Sequence, residues 1–107
     1  MTHIEVYRRG AFLEGVCAFG HSGYAEAGSD IVCAAISVLM QTLYIGLAEV
    51  LHLQTEISVD EKEARIELRW KDTGSNALRV LAETVVRALR ETARTYEDYV
   101  KFVEVSL

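Results

Sequence analysis

Two residues in this sequence have the types that nucleophilic catalysis needs, Cys33 and, twelve positions before it, His21. A thiol becomes a nucleophile by losing its proton, and an imidazole within reach can take it. The surroundings of Cys33 favour the anion. With Asp30 as N-cap, Cys33 is the third residue of a helix, where backbone N–H groups have no partner inside the helix and the macrodipole is positive. Cysteines so placed commonly ionise below the free value of about 8.5. The position equally suits a small apolar residue on an apolar helix, the ordinary use of a buried free cysteine. His21 stands at the exit of a strand, in a run containing Gly20, Gly23 and Gly28 that lets the chain turn back toward the helix start. A histidine in such a loop can also be a plain surface residue.

The remaining candidates are weaker. His52 lies 19 residues beyond Cys33, roughly 28 Å away on a continuous helix, and His3 falls in a strand. Cys17 is in mid-strand, away from any helix terminus, which is a structural setting. One cysteine and one histidine fall short of the four ligands of a structural zinc site, so no metal and no other cofactor is expected. Ser37 follows Cys33 by one helical turn and shares its face, where it could bond the thiolate, the substrate or the carbonyl of Cys33. Asp30 is either the cap of the helix or an orienter of His21.

These residues need elements to hold them. His3 to Arg8 and Phe12 to Phe19 are rich in β-branched and aromatic residues and flank Arg9-Gly10, which predicts a hairpin. Gly20 to Ser29 is too rich in small residues for a strand and too poorly periodic for a helix, and is expected to be a mobile loop. Ile31 to Ala48 contains no charged residue and reads as the first helix, apolar on nearly every face, so that a sheet, a second helix or another subunit must cover it. It has acids at both ends and no basic flank, so a membrane span is not expected. Thr55 to Val59 and Ala64 to Trp70 form a second hairpin around Asp60 to Glu63. Ala64, Ile66, Leu68 and Trp70 share its inner face, and Arg65, Glu67 and Arg69 a face expected to be merely solvated. Asp72 to Asn76 caps a second helix in which Leu78, Leu81, Ala82, Val85, Leu89, Ala93 and Tyr96 recur at helical spacing, with Glu83 and Arg87 as an exposed ion pair. Tyr99 to Leu107 returns to strand composition. The order ββαββαβ predicts an α+β fold, a mostly antiparallel sheet packed with two helices, in one domain over residues 1–107.

The sequence has 107 residues, half of them apolar, which suits one core of ordinary size. Its start carries a charge where a signal peptide needs an apolar stretch, and its two cysteines make no disulfide framework, so a reducing cytoplasm is expected. The net charge of −5 argues against direct binding of nucleic acid or anionic lipid and favours encounter with a basic protein or peptide.

Gly20-His21-Ser22-Gly23-Tyr24-Ala25, followed by Gly28-Ser29-Asp30-Ile31-Val32-Cys33-Ala34-Ala35-Ile36-Ser37, closely resembles the signature of the bacterial ribosomal-processing cysteine protease family, Prp. The resemblance extends over the whole chain. It implies a catalytic dyad of Cys33 as nucleophile and His21 as general base and acid, with Asp30 and Ser37 in supporting places. Gly20, Ser22, Gly23, Tyr24 and Gly28 are expected to belong to a loop that contacts or gates substrate. Two departures stand out: Tyr96-Glu97 lacks the proline that usually follows the tyrosine, and Ala27 stands where relatives often carry a larger side chain.

The activity the resemblance implies is removal of a short N-terminal extension from large-subunit ribosomal protein twenty-seven, a basic protein substrate, after a pair of aromatic residues. Helix-start N–H groups near Cys33 are the expected oxyanion donors, and a homodimer is expected by the same resemblance. Two other readings stay open from the residues alone. One is a non-enzymatic module that holds a basic ribosomal protein on an acidic surface, and the other a thiol redox or acyl-transfer enzyme with Cys17 as resolving cysteine.

Overall fold

The computed structural model describes residues 1–26 and 30–107. Its order is β1 (Thr2–Arg9), β2 (Phe12–Phe19), α1 (Ile31–Tyr44), β3 (Glu56–Asp60), β4 (Arg65–Arg69), α2 (Asn76–Thr95) and β5 (Val100–Ser106), which is the expected ββαββαβ. The strands form one sheet in the order β3-β4-β2-β1-β5. Three neighbouring pairs are antiparallel and β5 runs parallel to β1. A parallel neighbour needs a long crossover, and the 20-residue α2 supplies it.

Alternation sorts the sheet into two faces. Ile4 and Val6 of β1, Val16 and Ala18 of β2, and Leu68 of β4 point to one side, where both helices lie. From α1 come Val32, Ile36, Met40 and Leu43, and from α2 come Leu78, Ala82, Val85, Val86, Leu89 and Ala93. Full burial of one such larger apolar side chain contributes about 1.5–3 kcal/mol. Together they set the tilt of α1 on the sheet, and with it the position of Cys33.

Beyond Tyr44 the first helix continues as a π-helical turn, Ile45–Val50, which buries Leu47 and then stops at His52, a residue with φ of 53°. The segment from Ile31 to Val50 is long and apolar enough to cross a membrane. Here its face Val32, Ile36, Met40, Leu43 and Leu47 is committed to the core. The opposite face stays open, with Ile31, Val38, Ile45 and Val50 exposed.

Two expectations about charge are corrected. Glu83 does not pair with Arg87. It takes Arg8, near the end of β1, at 2.7 Å, because α2 packs across the sheet there. Nor are Arg65, Glu67 and Arg69 simply solvated. Glu67 accepts from Arg65 at 2.6 Å and from Arg69 at 3.1 Å, while Arg69 lies 3.8 Å over the Tyr7 ring and Arg65 5.5 Å over Phe19. The outer face is therefore a network of planar side chains and paired charges, and it buries Cys17 completely.

Candidate active site

The start of α1 is held by Asp30, whose extended backbone (φ −81°, ψ 101°) turns its side chain back over the first turn. Oδ1 accepts from the N–H of Val32 at 2.9 Å and of Cys33 at 3.0 Å. The Asp30 carbonyl takes the N–H of Ala34 at 3.1 Å. Asp30 is thus the N-cap, and its Oδ2 accepts from the Ser22 hydroxyl instead of from His21. Of the helix-start donors expected to form an oxyanion hole, the N–H groups of residues 32, 33 and 34 are already bonded to Asp30.

Ser22 is buried, and besides bonding Asp30 it accepts the N–H of Tyr24 at 3.1 Å and donates its own N–H to Cys33 Sγ at 3.4 Å. Tyr24 packs edge-on against Tyr96 and Tyr99, with ring centroids 5.7 and 5.2 Å away. The loop after β2 is therefore tied at Ser22 and at Tyr24, with apolar anchorage that its composition did not suggest. Ala27, Gly28 and Ser29, and with them the role expected of Gly28, lie outside the described residues.

Cys33 and His21 line one groove of about 560 Å³ between α1 and the β3–β4 hairpin. Ile57, Val59 and Ile66 on the hairpin and Ile36 on α1 make it largely apolar. It exists because α1 covers only part of the sheet, so that Ile57 and Val59 of the edge strand remain exposed. His21 is exposed at one end. Among the described residues no hydrogen bond joins it to Cys33. Ser37 also lines the groove, but its hydroxyl accepts from Gln41 Nε2 at 2.9 Å and bonds neither Cys33 nor its carbonyl. A second groove of about 730 Å³, near Arg9, Arg69 and Trp70, holds neither cysteine nor histidine.

The two thiols differ in kind. Burial pushes Cys17 up to about 11, with Glu67 and Glu5 adding to the shift and Arg65 opposing it, so it stays a thiol at neutral pH. Cys33 is only partly buried and opens on the groove. The Asp30 carboxyl is held down to about 2, chiefly by the Ser22 hydroxyl and also by the N–H groups of Cys33 and Val32. A carboxylate lowered on folding stabilises above its unfolded value and stops doing so as pH falls through its folded one. Asp30→Asn should therefore be less stable than the parent at neutral pH, and the gap should close between pH 3.8 and about 2. Parallel acid melts of the two proteins check this, and a constant gap would refute it.

The cysteine protease Prp family model matches residues 1–101. The chain belongs to the cysteine protease Prp family. That membership makes it a cysteine protease of the ribosomal-processing kind. Solved structures carry the same fold. The ribosomal processing protease Prp from S. aureus, in complex with a covalently linked product peptide, superposes with a TM-score of 0.89 at 19% identity, covering 98% of this chain and 100% of the other. The same protease with a substrate peptide gives 0.84 at 18%, covering 98% and 100%. SMU.848 from Streptococcus mutans gives 0.85 at 24%, covering 100% of this chain and 96% of its own. No curated protein matches the chain. The residues that the sequence singled out, Cys33, His21 and Ser37, line one groove, and Asp30 caps the helix behind them. Ser22, expected only as part of a loop, proves to be the contact of the thiol. The signal that could have found it is a hydroxyl one residue after His21, eight before an N-cap aspartate.

Proposed function

We propose that this chain is an endopeptidase in which Cys33 is the nucleophile and His21 its base and acid, acting on the N-terminal extension of large-subunit ribosomal protein twenty-seven. The observation that carries the reading is the sharing of one apolar groove by an accessible helix-start thiol and an exposed imidazole. Sγ attacks the scissile carbonyl carbon. The tetrahedral adduct collapses with His21 delivering a proton to the leaving amine, and water, activated by the same imidazole, hydrolyses the thioester. The S. aureus protease of this fold was crystallised with a substrate peptide and with a covalently linked product peptide, which supports a peptide in the corresponding groove. A net charge of −5 favours capture of a basic chain. The redox alternative has lost its basis, because Cys17 and Cys33 lie on opposite faces of the sheet, and free thiols at both suit the cytoplasm. Incubation with the extended ribosomal protein should give a single cut that releases the extension. An uncut substrate that nevertheless binds would favour a non-enzymatic holding module.

The same reading includes a homodimer. Ile31, Val38 and Ile45 recur every seven residues along the open face of the first helix, a line that a second copy could cover. Val38→Glu should convert a dimer into a monomer in sedimentation. A parent protein that sediments as a monomer at tens of micromolar would remove the dimer from the account.

A further inference from the structure

An acyl transfer needs donors for the charge that leaves the sulfur and appears on the substrate's carbonyl oxygen. The start of α1 would be the ordinary source, but its N–H groups at 32, 33 and 34 are already bonded to Asp30. The donor that does face the reacting atom comes from the loop. Ser22 N–H points at Cys33 Sγ at 3.4 Å, a length within the range of hydrogen bonds to sulfur.

Resting on the dyad reading above, we propose that the main-chain N–H of Ser22 is a catalytic donor, serving the Cys33 thiolate before attack and the substrate's carbonyl oxygen after it, with Asp30 as its positioning residue. When Sγ attacks, the S–C bond forms and the π pair of the carbonyl moves onto oxygen. That oxygen is bonded to the carbon the sulfur has just joined, so a donor aimed at Sγ needs only a small shift to reach it. On collapse the pair returns, the C–N bond breaks, and the amine leaves with the proton from His21. One N–H can thus follow the charge through the step.

What holds this N–H in place is a single carboxylate with one oxygen on each side of the site. Asp30 Oδ1 takes the helix start that carries Cys33, and Oδ2 takes the hydroxyl of Ser22, which is buried. Loop and helix are thereby registered to each other by one side chain. Tyr24 adds a second tie, through its N–H to the Ser22 hydroxyl and its ring against Tyr96 and Tyr99. Ser22 carries the donor, and Asp30 positions it against the helix start that carries Cys33.

The direct test replaces Ser22 in the full chain by its α-hydroxy acid, which turns the peptide N–H into an ester oxygen and keeps the hydroxymethyl group. The expected result on an extension peptide is a fall in kcat of about a hundredfold with KM within about twofold, and slower alkylation of Cys33 by iodoacetamide. A kcat within about threefold of the parent overturns the proposal. Should the ester chain not fold, Ser22→Ala and Asp30→Asn decide it. Each should lower kcat more than it alters KM, and the double variant should lose no more than the worse single one. Additive losses, or losses confined to KM, also overturn it. Cys33→Ala is the control for the underlying reading: if that variant still cleaves, the nucleophile assignment itself has failed, whatever Ser22 does.

Discussion

Cys33→Ala should abolish peptide cleavage, a loss of at least about a thousandfold, while Cys17→Ala should keep activity within a few-fold of the parent. The contrast follows from where the two thiols sit. Cys33 opens on the groove that His21 shares, at the third position of a capped helix. Cys17 faces away from the helices under the Glu5 and Glu67 side chains, and its burial keeps it protonated. Removing its sulfur should cost stability only, on the order of 1 kcal/mol for a small cavity. Iodoacetamide should label Cys33 quickly in the folded protein and Cys17 only after unfolding. Equal loss of cleavage in both variants, at unchanged melting temperature, would sink the assignment.

Gly20→Ala should damage both stability and catalysis. Gly20 joins β2 to His21 with φ of +88°, and a Cβ there would stand 2.6 Å from the carbonyl oxygen of Met1, a backbone atom with little freedom to retreat. The left-handed conformation alone costs a non-glycine residue about 1–2 kcal/mol. The collision adds to that, and its relief must swing the chain that carries His21 and Ser22. Gly10→Ala is the matched control, since Gly10 has φ of +61° but nothing within 4 Å of its absent Cβ. Both variants should melt earlier than the parent, Gly20→Ala by the wider margin, and only Gly20→Ala should lose about tenfold or more in kcat. If the two behave alike, the collision is relieved without moving the site.

Period and punctuation made the fold legible. The alternation Ile66, Leu68 against Arg65, Glu67 fixed which side of β4 would be buried, and the uncharged run after Asp30 located α1 and its cap. The parallel pairing of β5 with β1 was not legible, because a strand's sequence carries little record of its neighbour's direction. Nor was the partner of Glu83, since Arg87 is its neighbour only along the helix, while Arg8 is brought to it by the packing of α2 on the sheet. The outer sheet face misled for a related reason. Charged side chains on alternate positions look solvated until the rings of Tyr7 and Phe19 are found beneath them, and the room for Arg69 over Tyr7 comes from Gly15, where a Cβ would lie 2.7 Å from Arg69 Cδ. At the site, Cys33 and His21 stood out by type, whereas the contact of Ser22 with the thiol is made by a backbone N–H, which every residue but proline possesses.

The pairing of β5 with β1 also sets an order of events when the chain folds. The first hairpin can close locally, but the outer neighbour of β1 is made of residues 100–106, so Thr2 finds its partner Val100 only when nearly the whole chain is present. Contacts of such long sequence separation carry a large loop-closure cost and slow the search for the native state. Until they form, the free edge of β1 is open to pairing with another chain. During synthesis the last strand must clear the ribosomal exit before the sheet is whole. The Thr2 N–H reaches Tyr99 O at 2.9 Å, and Tyr99 in turn packs on Tyr24 of the loop after β2. Proteolytic competence should therefore appear late, with the docking of the final strand, rather than with the earlier collapse of the hairpin and helices.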